Sequence, residues 1–177
     1  MFVLLGVGSP VIYGQQVTTD FSGKWKLDTS ETELDTDHGI ESITLKIEQS
    51  ESELIIEKKI SWASEKDRES ALKLNRLIPN VHTEGILHLT LDWKRRFSRH
   101  SSGASVLHRA KIDDSARLII LEKLVRDQTL SPVLSALRSR EATEIWTLSS
   151  DKKRITVERR PKLNSSKTLS VMYYDRL

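Results

Sequence analysis

Cysteine is absent from this chain of 177 residues, and its absence removes several kinds of chemistry at once. Without thiols the chain can form no disulfide, offer no thiolate to a metal ion and use no cysteine nucleophile. The lack is compatible with any compartment, so it does not indicate where the protein works. A chain of this length is expected to form one domain whose core needs no covalent cross-link.

An excess of charge of either sign is also missing. Lys and Arg together number 28 against 25 Asp and Glu, which leaves a formal net charge of +3. A balance this close to neutral gives no general argument for a nucleic-acid partner or an acidic substrate. The one basic segment, residues 94–102, is interpreted as a solvated loop or a frayed edge strand. No nucleic-acid partner is predicted.

Motifs for metal binding and catalysis are lacking too. The histidines show no spacing typical of a metal site, and no serine is visibly positioned as a nucleophile beside a base. The five histidines are His38, His82, His88, His100 and His108. The sequence therefore predicts no metal and no cofactor. Enzymatic activity, as an isomerase or hydrolase, remains a third hypothesis that would need a convergent acid and base.

No hydrophobic run is long enough to span a bilayer. The longest, residues 1–14, is apolar and uncharged and runs into Gln15 and Gln16. It is typical of the back half of a secretory signal, with cleavage between Gly14 and Gln15. We interpret residues 1–14 as a truncated signal peptide and residues 15–177 as one domain, secreted or periplasmic. An ordinary apolar N-terminal strand is the alternative, and without cysteine a lipoprotein anchor is excluded.

What the sequence does contain is strict alternation of apolar and polar residues. Around the turn Ser-Ser-Asp-Lys-Lys, one face carries Trp146 and Leu148 before the turn and Ile155 and Val157 after it. This pattern predicts a β-hairpin with one buried face. A second hairpin is predicted about residues 113–117.

A third hairpin is predicted about a turn at Ser50-Glu51, with Ile47 opposite Leu54. In this register Lys58 faces inward opposite Ile43, or extends out at a rim.

At two places the spacing between apolar residues changes from two to three and four, which predicts two short helices. The first spans Lys66 to Arg76, and the second starts at Ser131-Pro132 and runs to about Arg138. The rest of the chain reads as about eight or nine strands in neighbour order. We predict an all-β, up-and-down antiparallel barrel, with a strongly curved open sheet as the alternative. Counting strand directions places the two helices at opposite ends.

Several segments, taken in order, resemble a broad group of small secreted bacterial proteins described as lipocalin-like. They are FSGKWKLD, ITLKIEQSESELIIEK, LHLTLDWK, AKIDDSARLIILEK, TEIWTLSSDKKRITVERR and TLSVMYYDRL, and they cover most of the chain after Thr18. More distantly, Gly23-Lys24-Trp25 is similar to the Gly-x-Trp signature of lipocalins and fatty-acid-binding proteins. The bacterial group implies a calycin-type barrel and a secreted location, without a settled activity, and the more distant proteins are small barrels that hold apolar ligands.

The sequence departs from fatty-acid-binding proteins in two ways. Those proteins carry a helix pair between their first two strands, where only residues 29–41 lie here. Their last strand supplies an arginine and a tyrosine for the ligand carboxylate, but Met172 stands two residues before Tyr174. The resemblance therefore does not imply a carboxylate clamp.

The hairpin registers identify the candidate ligand-binding residues. If Leu148 opposes Ile155, then Glu144 opposes Arg159 on the same inward face. The same count in the next hairpin places His108 opposite Glu122, and such a histidine could titrate near neutrality. We predict that the two pairs form one polar layer inside the barrel.

Buried charges must pair whether or not a ligand is present, so the layer is either structural or a ligand anchor. The first hypothesis is a secreted, non-enzymatic binding protein for a small apolar or amphipathic ligand. Arg159 and Glu144 would be its polar anchors and Trp25 and Trp146 its walls. The second is a filled barrel that serves as a structural or protein-interaction module of the cell envelope.

Overall fold

The computed structural model describes residues 19–32, 39–75, 84–99, 105–125, 141–161 and 170–177. The predicted signal segment 1–14 and the predicted helix from Pro132 to about Arg138 lie outside these ranges. The described part contains ten strands and one helix. In chain order they are β1 (Gly23–Leu27), β2 (Ile40–Gln49), β3 (Glu53–Trp62), α1 (Glu65–Asn75), β4 (Gly85–Thr90), β5 (Arg96–Arg99), β6 (Ser105–Ile112), β7 (Leu118–Val125), β8 (Glu141–Leu148), β9 (Arg154–Pro161) and β10 (Ser170–Arg176).

The strands form one antiparallel sheet in which most pair with their neighbours in the chain. The exception is β1, which pairs with both β2 and β10 and so joins the two halves. The sheet runs β4-β3-β2-β1-β10-β9-β8-β7-β6-β5. Its two ends come together because β4 lies beside β5 and β6, and Trp93 N donates to Ala110 O at 2.9 Å. The result is a nearly closed barrel, which confirms the predicted all-β antiparallel class.

The short strand β5 corrects two details of the prediction. The basic segment that contains it is an edge strand paired with β6, so the described ranges hold ten strands rather than eight or nine. One added strand also reverses the direction of each later strand. The connection from Val125 to Glu141 therefore starts and finishes at the same end of the barrel as α1, not at the opposite end. We call this the helix end, and the other, with the tight hairpin turns, the turn end.

Helix α1 begins one residue before its predicted start and is described as far as Asn75; the predicted last residue, Arg76, lies outside the described ranges. Ser64 caps it, because Asp67 N donates to Ser64 Oγ at 3.2 Å and that hydroxyl donates to Asp67 Oδ2 at 2.5 Å. The acidic residues of the first turn, Glu65 and Asp67, interact favourably with the positive end of the helix dipole. Within the described ranges, no helix has the length and apolar composition that a membrane span requires.

Two large aromatic side chains fill the turn end of the barrel. Phe21 and Trp25 are fully buried there, and Trp25 Nε1 donates to Phe21 O at 3.0 Å. Inward residues of the neighbouring strands complete this core, including Leu118, Ile155 and Val157. Because the indole N–H is satisfied by a backbone carbonyl, Trp25 is buried without an unpaired donor.

The predicted register of the β2–β3 hairpin is wrong by two residues. Ile47 pairs with Ile56, and Lys58 pairs with Leu45 rather than with Ile43. The turn is centred one residue later than expected, at Glu51-Ser52, since Ser50 N donates to Glu53 O at 2.9 Å and Glu53 N donates to Ser50 Oγ at 3.1 Å.

Candidate ligand site inside the barrel

Two polar pairs occupy the inner face where the hairpin registers predicted them. Glu144 pairs with Arg159 across β8 and β9, and His108 pairs with Glu122 across β6 and β7. Each pair lies at the third inward position counted from the turn end. The β7–β8 register is staggered, however, so that Glu144 lies opposite Ile120. The two pairs are therefore on adjacent levels rather than in one flat layer.

Arg159 bridges the two levels with its forked guanidinium group. Its Nη1 donates to Glu144 Oε1, and its Nη2 donates to Glu122 Oε2 at 2.8 Å. The second oxygen of Glu144 accepts from Trp146 Nε1 at 3.0 Å. A guanidinium can satisfy two carboxylates at once, which is the usual solution for a buried arginine. The arrangement brings together four of the six residues that the sequence singled out.

Lys58 is a further member that the sequence analysis left unassigned. It lies on the inner face of β3, third from the turn end, and its charge interacts with Glu144, Arg159 and Glu122. Burial lowers the pKa of its ammonium to about 8. The repeated interval could have revealed it, because Lys58 stands four residues after the first inward residue of its strand, as Glu122 and Arg159 do in theirs. We call Lys58, His108, Glu122, Glu144 and Arg159 the polar cluster.

Burial sets the protonation states around the cluster. It lowers the pKa of His108 to about 4, against a smaller opposing effect of Glu144, so the imidazole is neutral at physiological pH. The prediction of titration near neutrality is thus wrong. Burial also raises the pKa of Glu122, although Arg159 opposes the rise. The phenol of Tyr174 has a raised pKa for the same reason, with a contribution from Glu144, and stays protonated.

Water reaches the inner face at the level of the cluster. The side chains of Arg159, Glu144 and Glu122 keep 11%, 18% and 21% of their exposure although all three lie within strands and point inward. An inward side chain can be exposed only where the interior is not completely filled. The wall on either side is apolar, with Ala110, Ile120 and Val157 buried.

An open cleft of about 510 Å³ lies at the helix end of the barrel. It is bounded by the last inward residues of β3, Ile60 and Trp62, and by Glu65 and Arg68 of the first turns of α1. Ile60 and Trp62 continue the inner row that contains Lys58. Lys58 is therefore the next inward residue of this strand beyond the two that border the cleft.

The structure does not bring Trp25 into the cluster. Its indole is packed at the turn end beneath the guanidinium of Arg176, which lies 4.7 Å from the ring centroid. Among the residues that the structure describes, no three carboxylate or imidazole side chains are grouped so as to hold a metal ion.

These features define a class of protein by fold: an up-and-down antiparallel β-barrel, nearly closed, with charged side chains on its inner wall. No family model matches the chain, and no curated protein sequence matches it. The fold is nevertheless shared with solved structures, at identities low enough that the likeness establishes the fold alone.

Three of these similar structures belong to proteins whose names describe very different properties. A mutant of the fluorescent protein UnaG has 13% identity and a TM-score of 0.54 over 89% of this chain and 96% of its own. A secretory abundant heat soluble protein from Ramazzottius varieornatus has 10% identity and a TM-score of 0.52 over 88% and 94%. The REP1-NXSQ fatty acid transporter has 9% identity and a TM-score of 0.50 over 88% and 95%.

Proposed function

We propose that the protein is a non-enzymatic binding protein that holds a small apolar or amphipathic ligand inside its barrel. The observation that carries this proposal is the polar cluster on the inner wall, reached by water and bordered by apolar side chains. Ligand sites typically combine a mostly apolar lining with a few convergent polar groups. In this proposal the polar end of the ligand lies against the polar cluster, whose acids are held by Arg159, and Trp146 positions Glu144.

The fold comparison adds support of a general kind. One structure of the same fold bears the name of a fatty acid transporter, so this type of barrel is compatible with carriage of an apolar molecule. In this chain the route of entry would be the cleft at the helix end.

A filled barrel that acts as a structural or protein-interaction module of the cell envelope is the second candidate. The solid packing of Phe21, Trp25 and Leu54 at the turn end favours it. The two candidates differ in whether the space beside the polar cluster takes up a ligand.

Native mass spectrometry of the protein purified from its own host tests the proposal first, because a retained small molecule would appear as added mass. Titration with the neutral fluorescent probe N-phenylnaphthylamine gives an independent measurement. Replacement Met172→Trp, on the inner face of β10, should weaken probe binding about tenfold or more by filling the interior. Val171→Trp, at the adjacent outward position, is the matched control and should bind as the wild type does. Absence of both retained ligand and probe binding would favour the filled barrel.

We also propose that the protein acts outside the cytoplasm, on the strength of the apolar segment 1–14 and its predicted cleavage site. N-terminal sequencing of the protein recovered from the periplasm or medium of its host should find a chain that starts near Gln15. A chain that begins at Met1 and stays with the cytoplasmic fraction would overturn this proposal.

A further inference from the structure

The charges of the polar cluster limit the kind of ligand that can bind beside it. Among the described side chains that point into the barrel at this level, two carboxylates face two cations. Glu122 and Glu144 are the carboxylates, and Arg159 and Lys58 are the cations. His108 adds no charge because its imidazole is neutral at physiological pH.

The positive charge of Arg159 is already shared by two acids of the protein. Its two terminal nitrogens donate to different carboxylates, and Glu144 in turn accepts from Trp146. A ligand carboxylate that approached the guanidinium would bring a third negative charge to a cation already paired with two acids. Like charges repel strongly in a low-dielectric interior, so this approach is unfavourable.

One carboxylate oxygen of the cluster is suited to bind an uncharged group of a ligand. Glu122 is more exposed than either Arg159 or Glu144, and the described contacts of its carboxylate engage only Oε2. Its Oε1 can accept a hydrogen bond from a hydroxyl group without any change in the charge of the site. It would repel a second carboxylate at the same distance.

From these contacts we infer that the barrel selects an apolar ligand whose polar end is uncharged, such as a long-chain alcohol, over the corresponding free carboxylate. The inference rests on the proposed function, because it presumes that a ligand enters. It differs from a carboxylate-binding arrangement in that the guanidinium serves the protein's own acids and the ligand meets a site without net charge.

Displacement of N-phenylnaphthylamine by a matched series tests the inference at neutral pH. Dodecanol, methyl dodecanoate and dodecanoate have closely similar chains and differ mainly in the charge of the polar end. We expect the alcohol and the ester to bind at least about tenfold more tightly than the carboxylate. Wild-type protein suffices for this comparison, so it does not depend on whether a variant folds.

Variants then locate the discrimination. Glu122→Gln removes one negative charge with little change of shape, so it should strengthen dodecanoate binding several-fold and narrow the gap to the alcohol. Glu158→Gln, on the outer face of β9 next to Arg159, is the matched control and should leave the preference unchanged.

The outcomes separate the inference from the proposed function. If dodecanoate binds wild-type protein as tightly as dodecanol, the inference is wrong while the binding function stands. An unchanged preference in a folded Glu122→Gln variant would also overturn it. If neither the probe nor any member of the series binds, the proposed function itself fails.

Discussion

Arg159 and Glu122 are joined across an intervening strand: Nη2 lies 2.8 Å from Oε2, although β8 separates β9 from β7. The same guanidinium also binds Glu144 on β8. One side chain thus ties three consecutive strands at mid-height on the inner face. Because it neutralises two inward, largely buried acids, Arg159 should contribute to stability as the centre of a triad rather than as half of a pair.

The first prediction concerns the loss of that centre. Arg159→Leu leaves two inward carboxylates without their main cation, so we expect a loss on the order of 3–5 kcal/mol in the free energy of unfolding. Adding Glu144→Gln should restore only part of the loss, because Glu122 still lacks its partner. The triple variant with Glu122→Gln should restore most of it. Urea unfolding of the four proteins measures these differences.

An exposed pair on the same strand supplies the control. Arg160 bonds Glu158 at 2.7 Å on the outer face, and its side chain is 59% exposed. Arg160→Leu should cost less than about 1 kcal/mol. If Arg159→Leu lost as little stability as Arg160→Leu, the triad would not be a buried network, and the proposed inward placement of these charges would be contradicted.

The sequence was sufficient for those parts of the structure that depend on local alternation. Two of the three hairpins have their predicted registers because Ser-Ser-Asp-Lys-Lys and Asp-Asp-Ser-Ala-Arg each mark a turn between strictly alternating runs. In the second, Asp113 Oδ1 accepts from Ser115 N and Arg117 N, and such side-chain to backbone bonds are why Asp and Ser indicate turns. These two registers located Glu144, Arg159, His108 and Glu122.

The sequence was not sufficient for a turn that lacks such marker residues or for contacts between strands that are not adjacent. Ser-Glu-Ser-Glu has neither Gly, Pro, Asn nor Asp to fix its centre, so the β2–β3 register was placed two residues out and Lys58 was misplaced. The bond from Arg159 to Glu122 could not be predicted from pairwise registers, because it depends on the stagger of β8 and on the reach of a guanidinium.

The second prediction uses the neutral state of His108. Its pKa is lowered to about 4 from an ordinary value of 6.5, so as pH falls through this interval the unfolded chain takes up the proton before the folded protein does. Stability should therefore fall with pH, by up to about 3 kcal/mol once pH is below both values. The raised pKa of Glu122 acts in the opposite direction, because there the folded state binds the proton first.

A variant separates the two contributions. His108→Gln should lose the acid-induced fall that histidine causes, so that wild-type and variant stabilities converge or cross as pH is lowered from 7 to 4. His88→Gln, at an exposed position of β4, should follow the wild-type curve. Thermal unfolding at several pH values measures all three, and parallel curves for wild type and His108→Gln would contradict the prediction.

The third prediction concerns Arg154 on the outer face, where a network links β9 to β10 and β1. Its guanidinium bonds Asp175 and Glu31 at 2.7 Å and Asp28 at 3.1 Å, and lies 5.6 Å from the ring centroid of Tyr173. Arg154→Leu should cost about 1–2 kcal/mol at low salt and less at high salt, since these partly exposed charges are screened. Lys46→Leu breaks one exposed pair and should cost little at either salt concentration. A salt-independent loss in Arg154→Leu would show that packing rather than charge is responsible.

The last prediction tests how α1 is held at the helix end. Gly39 has φ of +61°, and a methyl group added there would lie 2.5 Å from Asp67 Cγ, within the capping turn of α1. Gly85 also has a positive φ, +150°, but open space where a side chain would go. Both Gly39→Ala and Gly85→Ala should incur backbone strain of about 1–3 kcal/mol, while only Gly39→Ala adds the clash with Asp67. We therefore expect Gly39→Ala alone to accelerate hydrogen exchange in residues 65–75, and equal exchange in the two variants would mean that Gly39 does not seat the helix.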